Sequence, residues 1–570
     1  MPFQVSPGVN VSEVDLTTVI PAVSTSVGAF AGDFNWGPAE VVTLVESQDT
    51  LASMFGKPDA NTYESFFSAA NFLDYTNALR VVRAAHTDMK NAASGNGAAY
   101  FLTLCKNDDH YESSEPTSFV VGKYPGEMGN GLQVEICDSE DAFGDWTSNT
   151  QFPGPPGTST YANTKNSAND EMHVIVKDNS KGSFSGTASA VLERWTYVSK
   201  ALDAKDDEGN ESYYKNKINQ GSAYIRFGAG LGDVNAHSAS NTTTWGTAAT
   251  DGKQYGISAT KYANTLAGGQ FTAGTDANIQ TAYDLLKDTD QVDISLVIAG
   301  PHSPTVSQHI LDNIADFRKD CVAFVSPEKD DVVGNSSDAA RLTAVQNYKD
   351  VQLNRATSYG VMDSGWKYQY DKYSGKYRWI PLNADVAGLC AKTDGERDAW
   401  WSPAGHNRGH IKNVVKLAYN PIKAHRDDLY RNSINPVVTF PGEGTILFGD
   451  KTLQSRPSAF DRINVRRLFI VLEKAISTAA KFSLFEFNDD FTRSQFRNMV
   501  EPFLRTVQGR RGVTDFKVVC DETNNTGDVI DRNEFVGDIY IKPTRSINFI
   551  QLNFVAVSTG VDFTEIVGKF

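Results

Sequence analysis

The sequence predicts a multidomain α+β protein with strand-rich insertions. Its 570 residues are enough for about three or four domains of roughly 100–200 residues each. Apolar strands alternate with helices between residues 276 and 357, which is typical of a small parallel sheet. A stretch rich in Gly, Ser, Asn and Pro from residue 91 to 188 carries short strand-like runs. It indicates a mostly β insertion on the outside of the molecule.

The bulk composition is that of an ordinary globular chain, with 40% hydrophobic and 21% charged residues. No apolar run approaches the ~20 residues that cross a bilayer, so we expect no membrane insertion. The N-terminus has no basic region followed by an apolar core, so we expect no signal peptide and synthesis in a cytoplasm. The five cysteines are scattered without a Cys-x-x-Cys pair, which argues against a disulfide framework or a zinc site.

The first ninety residues contain an extended arm and then a folded segment. Over residues 1–20 apolar and polar residues interleave without a local hairpin partner, which predicts a linker arm. Residues 21–90 then predict strands over 22–32 and 39–45, a helix over 63–75 and a strand over 78–84. The mostly β insertion over 91–188 follows.

A second region alternates strands and helices. Within residues 189–345 we predict a helix over 276–286, a strand over 292–298 and a strand over 321–325. Ser303 and Pro304 have the residue types of an N-cap and a first helical position, so a helix is expected to begin there. These elements predict an α/β middle domain, to which residues 346–400 return.

The last 170 residues form a third pattern, a core over residues 401–557. Strands are predicted over 437–440 and 445–449, followed by amphipathic helices over 461–480 and 492–507. Pro502 is expected to kink or restart the second helix. Strands over 516–520, 535–541 and 547–557 close the core, and residues 558–570 form a C-terminal linker arm.

The net charge of −16 argues against direct nucleic-acid binding, because phosphate neutralisation needs a basic surface. Residues 456–517 are the exception, with 12 Lys/Arg against 7 Asp/Glu. Helical spacing would place these side chains on a face opposite the apolar one. That face is either a solvated charged surface or an interface with an acidic partner, and its candidate residues are Arg462, Arg466, Arg467, Arg493, Arg497, Arg505, Arg510 and Arg511.

The motifs of common enzymes are absent, and we predict no catalytic residue, cofactor or metal. His406 and His410 are four residues apart, but no Glu follows the first His as a zinc protease requires. The Gly-rich segment 228–232 lacks the Lys-Ser/Thr of a phosphate loop. Residues 300–304 lie between a strand and a helix, where α/β enzymes place ligand sites, yet a tight turn and a helix cap explain them.

The two termini predict exposed strands. An isolated strand leaves its backbone groups unpaired and invites pairing with another chain. A head-to-tail contact of this kind closes a ring or winds an open helix. The alternative is that both arms pack on their own domain. The residues that would supply inter-subunit strands are Val5, Val9, Val11, Val561, Phe563 and Ile566.

Six segments near the two ends of the chain form a distinctive series. The N-terminal segments are SPGVNVSEVD (6–15) and VSTSVGAFAGDFNWGPAEVVTLVES (23–47). The C-terminal segments are WWSPAGHNRG (400–409), INPVVTFPGEGTILFGDKTL (434–453), INVRRLFIVLEKAI (463–476) and FEFND (485–489), and the closing strands follow them. In this order they resemble the contractile tail sheath proteins of T4-type myophages, and the resemblance extends over about 250 residues at the two ends. Residues 91–345 match less clearly, and in this family variable outer domains are inserted there.

The resemblance implies a structural function. It implies a C-terminal α/β core completed by N-terminal residues and facing a tail tube, with hexameric rings stacked as a helical sheath and linked by exchanged strands. It also implies tube, baseplate and tail terminator proteins as partners, a place in the virion, and contraction without nucleotide. Two other classes stay open: a hydrolase that uses the α/β region, and a capsid or tail-tube protein.

Overall fold

The computed structural model describes residues 24–95, 104–179, 183–230, 243–250, 252–548 and 551. The chain divides into two compact units, a larger one of residues 21–478 and a smaller one of residues 1–20 and 479–570. Both units contain helices and strands among their described residues, and the strands form several separate sheets. The predicted α+β multidomain class is confirmed at this level.

The described strands are, in chain order, β1 Gly28–Gly32, β2 Thr43–Val45, β3 Leu79–Arg83, β4 Val120–Gly122, β5 Leu132–Cys137, β6 Glu171–Asp178, β7 Val191–Ser199, β8 Ile225–Phe227, β9 Tyr262–Thr265, β10 Leu296–Ile298, β11 Val322–Val325, β12 Gly360–Met362, β13 Trp366–Asp371, β14 Lys376–Pro381, β15 Lys416–Leu417, β16 Val437–Phe440, β17 Gly444–Leu447, β18 Val513–Val519 and β19 Asp538–Pro543.

The described α-helices are α1 Gln48–Phe55, α2 Tyr63–Leu73, α3 Asp108–Ser113, α4 Glu140–Gly144, α5 Thr160–Thr164, α6 Tyr214–Gly221, α7 Asp276–Asp284, α8 Pro304–His309, α9 Asp316–Arg318, α10 Lys329–Val332, α11 Asp338–Asn347, α12 Asn383–Glu396, α13 Lys423–Arg431, α14 Ile463–Ala480, α15 Asp490–Gly509 and α16 Gly527–Asp531. The π-helical segment Ile310–Ala315 joins α8 to α9, and Tyr348–Leu353 extends α11.

A six-stranded sheet forms the centre of the larger unit, in the order β12-β11-β10-β1-β3-β2. All neighbours are parallel except β2 and β3. Apart from the edge strand β2, the strands are buried on both faces, so their side chains alternate between two apolar cores. Phe30 packs with α2 and α12, whereas Ala29 and Ala31 pack with α7, α8 and the π-helical turns. The predicted parallel sheet is confirmed, and two N-terminal strands, β1 and β3, extend it.

A second sheet lies in the insertion, with the order β7-β6-β5-β9, beside the pair β4–β8. Its apolar core includes Trp36, Phe119, Val134, Val174 and Tyr262. Strands on both sides of residue 188 belong to this sheet, because β6 pairs with β7 and β5 pairs with β9.

The smaller unit packs α15 against the antiparallel pair β18–β19. Phe496, Val500, Leu504 and Val507 form the buried stripe of α15, as their spacing predicts. The helix runs through Pro502, so the expectation of a restart there is wrong. Pro502 and Asn498 are exposed, so the carbonyl that loses its N–H partner is open to water. The strand predicted over 547–557 lies mostly outside the described residues.

Candidate assembly interface

Helix α14 is a core helix over most of its length. Ile463, Val465, Leu468, Ile470 and Leu472 are all buried, and they lie on more than one side of the helix, so apolar neighbours surround its first three turns. Residues on the remaining sides are therefore also enclosed, including those with charged side chains. This arrangement decides where the predicted basic residues of α14 lie.

The guanidinium of Arg467 is buried in an ion pair. It donates to both carboxylate oxygens of Asp394 on α12, at 2.7 and 2.5 Å, and the two side chains are 4% and 6% exposed. It also donates to the carbonyls of Cys390 and Thr25, each at 3.2 Å. Ser295 Oγ donates to Ser24 O at 3.0 Å. The first described residues of the chain are thus fixed beside α14.

The neighbouring basic residues of α14 also have partners in the same unit. The buried Arg466 guanidinium stacks on the rings of Tyr359 and Phe460, 4.2 and 3.9 Å from their centroids. Arg462 contacts Asp450 at 2.9 Å and the Tyr430 hydroxyl. The expectation of an exposed basic face is therefore wrong for Arg466 and Arg467, because the helix is enclosed rather than amphipathic at these positions.

Helix α15 presents its basic residues at different depths. Arg493 is buried and donates to Asn488 Oδ1 at 2.8 Å and to Asp490. It lies three residues before Phe496, so it continues the buried stripe, and the expectation that it faces solvent is also wrong. Arg497 is half-buried, with a weak contact to Ser494 Oγ at 3.4 Å.

The exposed basic residues lie at the end of α15. Arg505 is 72% exposed and 3.5 Å from Glu501, and Arg510 and Arg511 are exposed. Asp489, at the other end, caps the helix by accepting from Thr492 N at 2.8 Å. The helix therefore carries an acidic N-terminal end and a basic C-terminal end, the arrangement that its macrodipole favours.

The ribbon β18–β19 has two open edges among the described residues. Its register runs from Val513 opposite Pro543 to Val519 opposite Asp538, and neither strand pairs with any other described strand. Val513 and Val518 are buried, but most side chains of the ribbon are half-buried or exposed. An open ribbon of this kind accepts further strands. The predicted arm residues at both termini lie outside the described residues.

The segments that resembled enzyme motifs have structural roles. His302 Nε2 contacts Ala31 O at 2.8 Å and its ring stacks on Phe30, and burial lowers the pKa of His302. On the surface, His406 Nδ1 lies 3.1 Å from a carboxylate oxygen of Glu443. The backbone of His410 forms an isolated antiparallel β-bridge with Ile446 on β17. The two histidines lie in a loop rather than on a helix. The segment 228–232 is described only to Gly230.

Among the described residues, no group of three or more His, Cys, Asp or Glu side chains is placed to hold a metal ion. No helix in the described part of the chain has the length and hydropathy of a membrane span.

An open sheet ribbon beside a helix with opposite charges at its ends is typical of the class of structural subunits that assemble with other protein chains. The chain belongs to the phage tail sheath family. The model of the phage tail sheath protein central domain matches residues 259–453, the C-terminal domain matches 455–556, and the domain III N-terminal region of tail sheath protein Gp18 matches 25–84. The resemblance drawn from the sequence is confirmed.

Relatives match over nearly the whole chain. The tail sheath protein of Vibrio phage KVP40 is 34% identical, over 99% of this chain and 99% of its own. That of Enterobacteria phage T4 is 35% identical over the same shares. Among solved structures, the contracted helical sheath of the anti-feeding prophage matches with a TM-score of 0.51 and 13% identity, over 97% of this chain and 99% of its own. At that identity the likeness shows the fold alone. Tail sheath proteins are structural proteins, not enzymes.

Proposed function

We propose that this chain polymerises as stacked hexameric rings around a tail tube, and that the sheath contracts to drive the tube through the host envelope during genome delivery. The observation that carries the proposal is the ribbon β18–β19, whose two edges have no partner strand among the described residues. A relative of the same fold forms a helical sheath, which supports helical assembly.

The terminal arms would complete the ribbon. Residues 1–20, with Val5, Val9 and Val11, and residues 558–570, with Val561, Phe563 and Ile566, would add strands to the ribbons of neighbouring copies. Backbone hydrogen bonds would then link each copy to the next and act as hinges during contraction. The C-terminal core would thereby be completed by N-terminal residues.

The exposed basic residues would face the tube or a neighbouring copy. Burial removes Arg466, Arg467 and Arg493 from this role, and it leaves Arg497, Arg505, Arg510 and Arg511, with Arg462 engaged by Asp450. Exposed charge pairs contribute only ~0–1 kcal/mol each, so contacts of this kind set register and can release as the sheath shortens.

The remaining parts of the proposal concern organisation and partners. Residues 21–90 and 346–400 would share a middle domain with the α/β part of 189–345. The outer insertion would begin near residue 91 and extend past residue 188 to β9, because its sheet includes that strand. The partners of the whole chain would be tube, baseplate and tail terminator proteins. It would bind no nucleic acid directly, would insert into no membrane and would need no cofactor. It would lie in the tail of a virion that is assembled in the host cytoplasm.

Truncation tests the proposal. Deletion of residues 1–18 or 561–570 is expected to give a folded monomer that forms no striated hollow cylinders by negative-stain electron microscopy, whereas the full chain forms them. Normal cylinders from either truncated protein would contradict the arm assignment. Smooth narrow tubes from the full chain would instead favour the tail-tube class, and hydrolase activity in a general screen would favour an enzyme.

A further inference from the structure

The segment from the end of α14 into the first turn of α15 exposes an unusual number of large apolar side chains. Within ten residues of the smaller unit, five such side chains are between 63% and 105% exposed. We define this aromatic loop by its members, Phe482, Leu484, Phe485, Phe487 and Phe491. Single exposed apolar residues are common on protein surfaces, but a contiguous group marks a site of contact with another molecule.

The backbone beneath the aromatic loop is held in place. Leu484 N donates to Lys481 O at 3.3 Å, and Asp489 N donates to Phe487 O at 3.0 Å. Asn488 Nδ2 donates to Glu534 O at 2.8 Å, and the buried Arg493 holds the same asparagine. Phe485 adopts a left-handed backbone conformation with φ of 69°, which a bulky residue rarely adopts. The loop is therefore fixed in a strained form that presents its rings outward.

The area of the aromatic loop is that of a protein–protein interface. A buried Phe removes ~150–250 Å² from water, so these five side chains leave on the order of 700 Å² of apolar surface. The largest apolar patch of a typical monomer is ~300–600 Å², and a stable interface needs ~800 Å² from each partner. A small ligand would cover only part of this patch, so its occupant is a protein surface.

We infer that the occupant is a second copy of this chain. Exposed acidic residues, Glu486, Asp489 and Asp490, border the aromatic loop. The C-terminal end of α15 carries the exposed Arg505, Arg510 and Arg511, ~30 Å away along a 20-residue helix. The same unit therefore offers an acidic-rimmed apolar surface at one end and a basic surface at the other. Such a pair suits a head-to-tail contact between copies.

The apolar character of the aromatic loop also favours a second copy of the chain over a tube protein as its occupant. This argument rests on the proposed function. Under the proposed function, copies of the subunit would stay together when the sheath shortens, whereas contacts with the tube would release. A large apolar contact is covered permanently, because its separation would return the whole patch to water.

Substitution of the two most exposed rings tests the inference. F485S/F487S removes apolar area without touching the core, so its unfolding should match that of the unchanged chain. The concentration required for assembly should rise at least tenfold, as measured by sedimentation and electron microscopy. F485L/F487L keeps the area apolar and should assemble normally. F317S/V351S, which removes residues 62% and 66% exposed in the larger unit, is the matched control and should also assemble normally.

A photo-cross-linking amino acid at position 485 identifies the occupant. In a mixture of isotope-labelled and unlabelled chains, we expect cross-linked pairs in which one peptide comes from a labelled chain and the other from an unlabelled chain. Cross-links confined to a single chain, or formed only to an added tube protein, would overturn the inference. The inference would also be overturned if the unchanged chain forms cylinders and F485S/F487S assembles at the same concentration as the unchanged chain. If the unchanged chain forms no cylinders but mixed-label cross-links appear, the proposed function fails and the docking surface stands.

Discussion

The ion pair between Arg467 and Asp394 positions the guanidinium that binds the carbonyl of Thr25, next to the first described residue of the chain, Ser24. Two short hydrogen bonds join the charges, and both side chains are almost fully buried. Removal of one partner leaves the other charge buried and unpaired, which costs about 3–5 kcal/mol. We therefore expect R467M to lower the free energy of unfolding of the larger unit by about that amount. The lost hydrogen bonds to Cys390 O and Thr25 O add about 1 kcal/mol each.

A double-mutant cycle separates the pair from the rest. R467M/D394M removes both charges, so it should destabilise the larger unit no more than either single change does. Since each single change is expected to cost at least about 3 kcal/mol, the coupling energy should then be at least about 3 kcal/mol. Denaturant unfolding followed by tryptophan fluorescence measures each variant. The surface pair Arg431–Asp428, with side chains 78% and 44% exposed, is the control and should couple by ~0–1 kcal/mol.

The pair also has a local consequence for the first described residues, 24–28. Since Arg467 donates to Thr25 O, R467M should increase backbone hydrogen exchange over residues 24–28, whereas the Arg431 variant should not. A cost below 1 kcal/mol for R467M, or single changes that add without coupling, would refute the reasoning that a buried, closely paired charge anchors this segment.

Two further predictions concern buried groups of the larger unit. The buried Arg83 guanidinium donates to Phe34 O, Gly37 O and Pro125 O at 2.7 to 2.9 Å. R83M should therefore destabilise the larger unit by more than about 3 kcal/mol in denaturant unfolding, because three carbonyls would lose their donor. A cost near that of R431M would contradict this. Burial raises the pKa of Asp363 from 3.8 to about 7, so the folded state holds this proton more tightly than the unfolded state does. Its contribution to stability is present below about pH 4 and is lost as pH rises to 7, a change of about 4 kcal/mol. The difference in unfolding free energy between D363N and the unchanged chain should show this dependence, and a difference independent of pH would contradict the assignment.

The sequence predicts elements well where local pattern decides them. The helix at Pro304 begins as expected, since Ser303 accepts from Val306 N and proline occupies the first turn. The two C-terminal helices lie close to the predicted ranges. The sequence predicts less well which strands pair with each other when those strands are far apart in the chain. Sequence order carries no signal that β1 lies between β3 and β10, because the parallel pair β1–β10 joins segments more than 200 residues apart, with Gly28 opposite Leu296.

The basic residues show the same limit at the candidate interface. Their four-residue spacing predicts one charged face on each helix. However, Arg467 donates a hydrogen bond to Asp394, which is 73 residues away in the sequence, and Arg466 donates one to Tyr359, which is 107 residues away. No local pattern encodes those contacts. The aromatic rings near FEFND, by contrast, are visible in the sequence as an apolar group without helical or strand periodicity. Such a group predicts an exposed contact surface when it lies between two helices with their own buried stripes.

The division of the basic segment into buried and exposed groups has an energetic meaning. Arg466, Arg467 and Arg493 stabilise single units, since each would cost several kcal/mol if unpaired. Arg505, Arg510 and Arg511 lie in water, where each contact is weak and is screened by salt. A sheath that rearranges without unfolding would need both kinds of contact: strong charge contacts inside each copy of the chain, and weak charge contacts between copies that can release. We therefore expect raised salt to lower the threshold for contraction while the stability of the isolated chain changes little.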